Sequence, residues 1–93
     1  MVDVRTFKKI AANDNVAVAL EDLFPGDVVT VEGHNITIRS AIKFGHKFAL
    51  EETKVGNPIV KYGEVIGEAT ETIEPGDHVH IHNLRSLRAR RDK

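Results

Sequence analysis

Three histidines stand two residues apart in Asp77-His78-Val79-His80-Ile81-His82-Asn83, and they are three of the five in this 93-residue chain. Side chains alternate across a β-strand. An extended run here therefore puts His78, His80 and His82 on one face and Val79 and Ile81 on the other, as an apolar anchor. Imidazoles on one face, with neighbouring Cα atoms ~6.5–7 Å apart, suit metal binding, proton exchange or substrate contact. Two of them can converge on one ion with bonds of ~2.0–2.1 Å. The outer pair lies roughly 13 Å apart on a straight strand, so three-fold ligation by this run alone is not expected. A metal site at His78 and His80 needs His46 or a group from another chain to complete it. The plain alternative is a row of exposed histidines on an edge strand.

Two further stretches carry chemistry-bearing residues. In Gly45-His46-Lys47 the histidine directly follows a turn glycine, which holds it at a strand start where it can project. Lys47 supplies a charge suited to a carboxylate. In Lys61-Tyr62-Gly63, followed by Ile66-Gly67, the glycines suggest a bulge or close backbone approach, and Tyr62 is the only tyrosine. Ordinary turns and a packed tyrosine are the competing readings. There is no Ser/His/Asp arrangement, phosphate loop or dinucleotide fingerprint, and the carboxylates form no clear acid–base pair. A complete active site is not visible.

These residues need a scaffold, and the chain offers a small one. A single domain of 93 residues buries roughly 60–65% of its unfolded surface. The absence of cysteine excludes disulfides, thiolate ligands and a thiol nucleophile. A net charge of −1, from 13 basic and 14 acidic residues, argues against a nucleic-acid binder. No apolar run has the length of a membrane span and the start lacks a signal-peptide core, so the expectation is a cytoplasmic protein.

Strand-length segments recur between turns. Val4–Ile10 reads as a half-buried strand, and Val16–Leu20 as a strand buried on both faces. Residues 28–31 and 36–39 read as a hairpin around Glu32-Gly33-His34-Asn35, with His34 exposed in the loop. No sustained helical period appears. Gly26, Gly45 and Gly76 each follow an apolar residue by three positions, Gly56 follows Thr53, and all four precede a strand. A shift of about 30 residues superposes Gly26 on Gly56 and Gly45 on Gly76. The pattern predicts a mainly β domain of two interlocked halves related by a pseudo-two-fold axis, over residues 1–84. Residues 85–93 form a basic tail, read as solvated or as a short helix docked on a partner.

Asp14-Asn15-Val16-Ala17-Val18-Ala19-Leu20, Gly45-His46-Lys47-Phe48-Ala49-Leu50, Val60-Lys61-Tyr62-Gly63, Ile66-Gly67 and Gly76–Asn83 occur in an order and at intervals that resemble the N-terminal SAF domain of altronate dehydratase and its relatives. The resemblance covers roughly residues 5–85. It implies a β-clip fold and membership of the sugar-acid dehydratases, which eliminate water from hexonates or hexarates to give 2-keto-3-deoxy acids. Iron(II), or another divalent metal, is implied as cofactor, bound by this chain or by its partner. The implied catalytic residues are His46, His78 and His80, with Lys47, Lys61, Tyr62, His82 and Asn83 contacting the sugar acid.

In the fused enzymes such a domain precedes a much larger catalytic one. The expectation is therefore a small subunit or excised domain that acts with a large catalytic subunit, with homo-oligomerisation open. The related sulfolactate sulfo-lyase, which has a separate small subunit of this type, is an alternative. So is a sugar-binding or purely structural SAF module whose histidines do not affect turnover.

Overall fold

Four tight turns, each with its glycine at positive φ between 86° and 95°, reverse the chain at Gly26, Gly45, Gly56 and Gly76. This is seen in a computed structural model that describes residues 7–9 and 11–86. The strands are β1 (Phe7–Lys8), β2 (Val16–Ala19), β3 (Val28–Val31), β4 (His34–Thr37), β5 (Lys47–Ala49), β6 (Pro58–Lys61), β7 (Glu64–Ala69), β8 (His78–Val79) and β9 (Leu84–Ser86). There is no helix among the described residues. The protein is thus mainly β, as the turn spacing predicts.

A four-stranded antiparallel sheet in the order β1-β2-β5-β8 forms the centre. β3 and β4 make one hairpin, while β6, β7 and β9 make a three-stranded sheet. The expected two-fold relation is visible in the backbone bonds. Gly26 N donates to Ile38 O as Gly56 N does to Ala69 O, and Gly45 N donates to Ala19 O as Gly76 N does to Ala49 O. The lone bridges Leu23↔Ile42 and Thr53↔Ile73 are counterparts as well. The two halves meet where β2 pairs with β5.

Alternation along β2 and β5 divides the interior into two cores, one on each face of the sheet. Ala17, Ala19 and Phe48 join one cluster with Val29, Ile38 and Ile42. Val16, Ala49 and Val79 join the other with Ile59 and Ile73. Strands covered on both sides read as near-continuous apolar runs, which is why Val16 to Ala19 shows little polar alternation.

Several details differ from the sequence reading. His34 lies in β4, paired with Val31, because the hairpin turns on Glu32-Gly33 alone; it is exposed, as expected. Glu32 and Gly33 both have positive φ, as the two-residue turn requires. The basic segment begins as strand: Arg85 and Ser86 extend β9 against β7. The rest of that tail, and most of the strand predicted over Val4–Ile10, lie outside the described residues. The largest difference concerns Ile81. It is 79% exposed rather than anchored, since regular strand ends at Val79.

Gly76 is the turn with no spare room. It has φ +89°, and a Cβ there would lie well inside contact distance of the Thr37 carbonyl. Gly56 has φ +86° with nothing near such a Cβ. Gly76→Ala should therefore cost ~3 kcal/mol or more, from backbone strain plus overpacking. Gly56→Ala should cost ~1–2 kcal/mol, from strain alone. Urea unfolding of both variants measures the gap, and equal losses would refute this packing.

Candidate functional site

The imidazoles gather at one end of the central sheet. β5 pairs with β8 in the register Lys47↔Val79 and Phe48↔His78, so His46 and His80 come opposite one another just beyond the strand ends. Ring centroids lie 5.1 Å apart for His46–His78, 5.4 Å for His46–His80, 5.5 Å for His78–His80 and 5.5 Å for His78–His82. Four of the five histidines thus form one cluster. His34 is not among them.

A bend at His80 brings this about, and Asn83 makes the bend. Its Oδ1 accepts the His80 N–H at 2.9 Å and its Nδ2 donates to His78 O at 2.8 Å. Asn83 N also donates to His80 O. The side chain is 3% exposed and committed to backbone. It shapes the histidine segment, which differs from the substrate contact implied by resemblance. Short polar side chains often bond locally in this way, and a buried amide needs such partners.

His46 stands out against the repeat. The residue after the turn glycine is Asp27, Asn57 or Asp77 in three of the turns and His46 in the fourth. Asp27 and Asp77 close their own turns by accepting the N–H of Phe24 and Glu74. His46 instead directs Nδ1 to His78 Nε2 at 3.0 Å. Asp22, from another loop, accepts the Phe44 N–H and steadies this turn. The break in the Asp/Asn pattern was a signal available in the sequence. The role of Asp22 had no such signal.

His78 has its pKa lowered, chiefly by burial and then by the charges of His46, His82, His80 and Lys47 in decreasing order. The pair with His46 is joined by one hydrogen bond, in which one ring nitrogen donates and the other accepts. Their planes differ by 17°, and the N···N distance falls short of the centroid separation by about two ring radii. The two nitrogens consequently point at each other, not at a common third point.

That geometry also tests the iron centre. A metal between these rings would have to separate nitrogens that are in hydrogen-bond contact. No group of three or more His, Cys, Asp or Glu among the described residues is arranged to hold an ion. The described residues of this chain therefore build no three-ligand site by themselves, and a metal held at His78 and His80 would need a further ligand from another chain.

The lysines belong to two different sheets, Lys47 beginning β5 and Lys61 ending β6. Lys47 follows His46 along the strand and therefore points to the opposite face, with its partners Val18 and Val79. Burial, and then the charge of Lys61, lower its pKa. Lys61 Nζ sits 5.2 Å from the centre of the Tyr62 ring. Asp14 and Asn15, unassigned from sequence, hold this hairpin. Asp14 Oδ1 accepts the Gly63 N–H, while Asn15 accepts the Val60 N–H and donates to Pro58 O. An open cavity of about 490 Å³ lies elsewhere, bordered by Lys9, Glu32, His34 and Glu51, and none of the expected site residues lines it.

Comparison with known proteins adds the family. The altronate/galactarate dehydratase SAF domain matches residues 5–87. The chain belongs to this SAF-domain family. It is 49% identical over 78 residues to altronate dehydratase of Escherichia coli and 41% identical over 83 residues to that of Bacillus subtilis, covering 84% and 89% of the chain. It spans only 16% and 17% of those two proteins. A (2R)-sulfolactate sulfo-lyase subunit alpha of Paracoccus pantotrophus is 42% identical over 53 residues, which are 57% of this SAF domain and 79% of that subunit.

Two outcomes follow for the cluster of this SAF domain. Asn83→Ala should cost ~2–3 kcal/mol, from two backbone groups left unpaired, and should separate the His78 and His80 ring resonances from that of His46 in NMR spectra. Because the folded-state pKa of His78 is lowered, the unfolded chain binds its proton more readily. Its contribution to stability is present above pH ~6.5 and is lost as pH falls through the lowered value. Urea unfolding at pH 7.5 and 5 should show a smaller drop for His78→Gln than for the parent chain.

Proposed function

We propose that this SAF domain is one wall of the active site of an altronate/galactarate dehydratase-type hydro-lyase, acting with a large catalytic domain or subunit in the cytoplasm. The four-imidazole cluster carries the reading. It has the proton-handling groups that elimination needs, in a chain whose relatives at 49% and 41% identity are altronate dehydratases. Dehydrating a 2,3-dihydroxy acid requires removal of the proton beside the carboxylate and departure of the hydroxyl on the next carbon, to leave an enol that becomes the 2-keto-3-deoxy acid. A neutral imidazole is competent to accept such a proton. In this proposal one ring of the His46–His78 pair takes the proton or returns it to the leaving hydroxide, and their shared bond passes it inward. His80 and His82, both exposed, face the substrate side.

An iron(II) centre, on this reading, belongs to the catalytic part, and no step here is routed through it. Recognition of the reacting carboxylate is assigned to that part too, because Lys47 lies across the sheet from the imidazoles. A second reading is the small subunit of a sulfo-lyase. The share of the Paracoccus subunit that matches, 79%, favours it.

The test is reconstitution with the catalytic part and assay against altronate, galactarate and sulfolactate. His46→Ala and His78→Ala should each lower kcat by ~10²-fold or more with little change in folding. Full turnover by both variants would leave the domain a structural role only. Turnover of sulfolactate alone would select the second reading.

A further inference from the structure

The cavity bordered by Glu32 and Glu51 has no part in the proposed elimination. It lies past the end of β5, where Leu50, Glu51 and Glu52 follow the strand, whereas His46 precedes its start. The β3–β4 hairpin supplies another wall through Val31 and Ile36, each only 5% exposed. Together with Leu50 and Pro75 they give the cavity an apolar lining. Its volume of about 490 Å³ falls in the range of small-molecule sites, roughly 300–1,000 Å³.

The charges around this lining are unequal. Four carboxylates border the cavity, those of Asp14, Glu32, Glu51 and Glu52, against the one ammonium of Lys9. That ammonium is already engaged: its side chain is 8% exposed, and Nζ donates to Glu32 Oε2 at 2.7 Å and to Ala12 O at 3.2 Å. Asp14 accepts the N–H groups of Ala11 and Gly63, and Glu52 lies 3.3 Å from Lys54. Among the described residues the Glu51 side chain has neither an ion pair nor a hydrogen bond. Excess negative charge around apolar walls selects a cation with an apolar body and disfavours a sugar acid. A metal ion does not match this lining. Among the described residues no three carboxylates or imidazoles are arranged to hold one, so the charge is spread around the cavity rather than focused on a point.

We propose that the cavity binds a small organic amine, an ammonium group carried on an alkyl or aryl stem. Glu51, and Glu32 through the oxygen that Lys9 does not hold, receive the N–H groups, while Val31, Ile36 and Leu50 pack on the stem. The site goes beyond the lyase reading and does not rest on it, because it stands at the other end of β5 from His46 and its charge repels the acids on which that reading depends.

The experiment uses the isolated 93-residue chain and needs no turnover. Butylammonium and benzylammonium chloride are titrated at constant ionic strength, with sodium butyrate and sodium chloride as references, and NMR shifts are followed. Saturable shifts at Val31, Ile36, Leu50 and Glu51 are expected with at least one of the two amines, and none with butyrate beyond those with sodium chloride. Glu51→Gln removes a side chain with no described partner, so the fold should survive and binding should weaken about three-fold or more; Glu51→Lys should weaken it about ten-fold or more. Glu21 is exposed and holds the place of Glu51 in the other half of the repeat, in Leu20-Glu21-Asp22 against Leu50-Glu51-Glu52. Glu21→Gln should therefore leave binding within about two-fold. Amine shifts no larger than those with sodium chloride would overturn the proposal, as would equal shifts with butyrate. Equal weakening by Glu21→Gln would reduce the effect to diffuse surface charge and overturn it too.

Discussion

The antiparallel pairing of β2 with β5 is the constraint on which the rest depends. Its register sets Val16 against Ala49, Ala17 against Phe48 and Val18 against Lys47. Both faces of this pair are covered, so each position is assigned to one core or the other. A slip by one residue would exchange the cores and carry His46 and Lys47 to the wrong sides. Ala17, Ala19 and Ala49 keep the seam thin enough for the two halves to close around it. Each half repeats the same turn, hairpin and turn, so one pairing organises two equivalent sets of contacts.

Short polar side chains act as fasteners wherever this β structure becomes irregular. Asp14, Asn15 and Asn83 are all buried, and each bonds to backbone groups that no strand partner satisfies. Among the described residues, no buried side-chain nitrogen or oxygen is left without a partner. A small domain has little apolar surface to spare, and satisfied polar links define bends that packing alone would leave loose. The bend at Asn83 also bears on function, because it turns a row of separated histidines into a cluster that includes His46.

The cluster is open. His80 and His82 are exposed, and the neighbouring Phe44 and Ile81 are 66% and 79% exposed. Proton transfer to a substrate carbon gains from a dry, enclosed setting, which this surface does not provide alone. The proposed role as one wall of a larger site is consistent with that, as is the small share of the altronate dehydratases that the chain spans.

Much of the fold was legible before any coordinates. Glycine tolerates positive φ at a turn, so four glycines at related intervals announced both the turns and the two-fold relation. The apolar run at residues 16–19 announced a strand covered on both faces. His46, His78, His80 and His82 were all singled out by residue type, and the structure brings them together. Local sequence could not show that the strand would stop at Val79, because the stop depends on the fit of Asn83 against the backbone of His78 and His80. Nor could it show that Lys47 would part from His46, since a face has meaning only once the sheet has two cores. Residue chemistry and turn positions are local properties, written in the chain itself. Which side chains meet, and which are kept apart, was decided by strand register and burial, which only tertiary contact between the two halves creates.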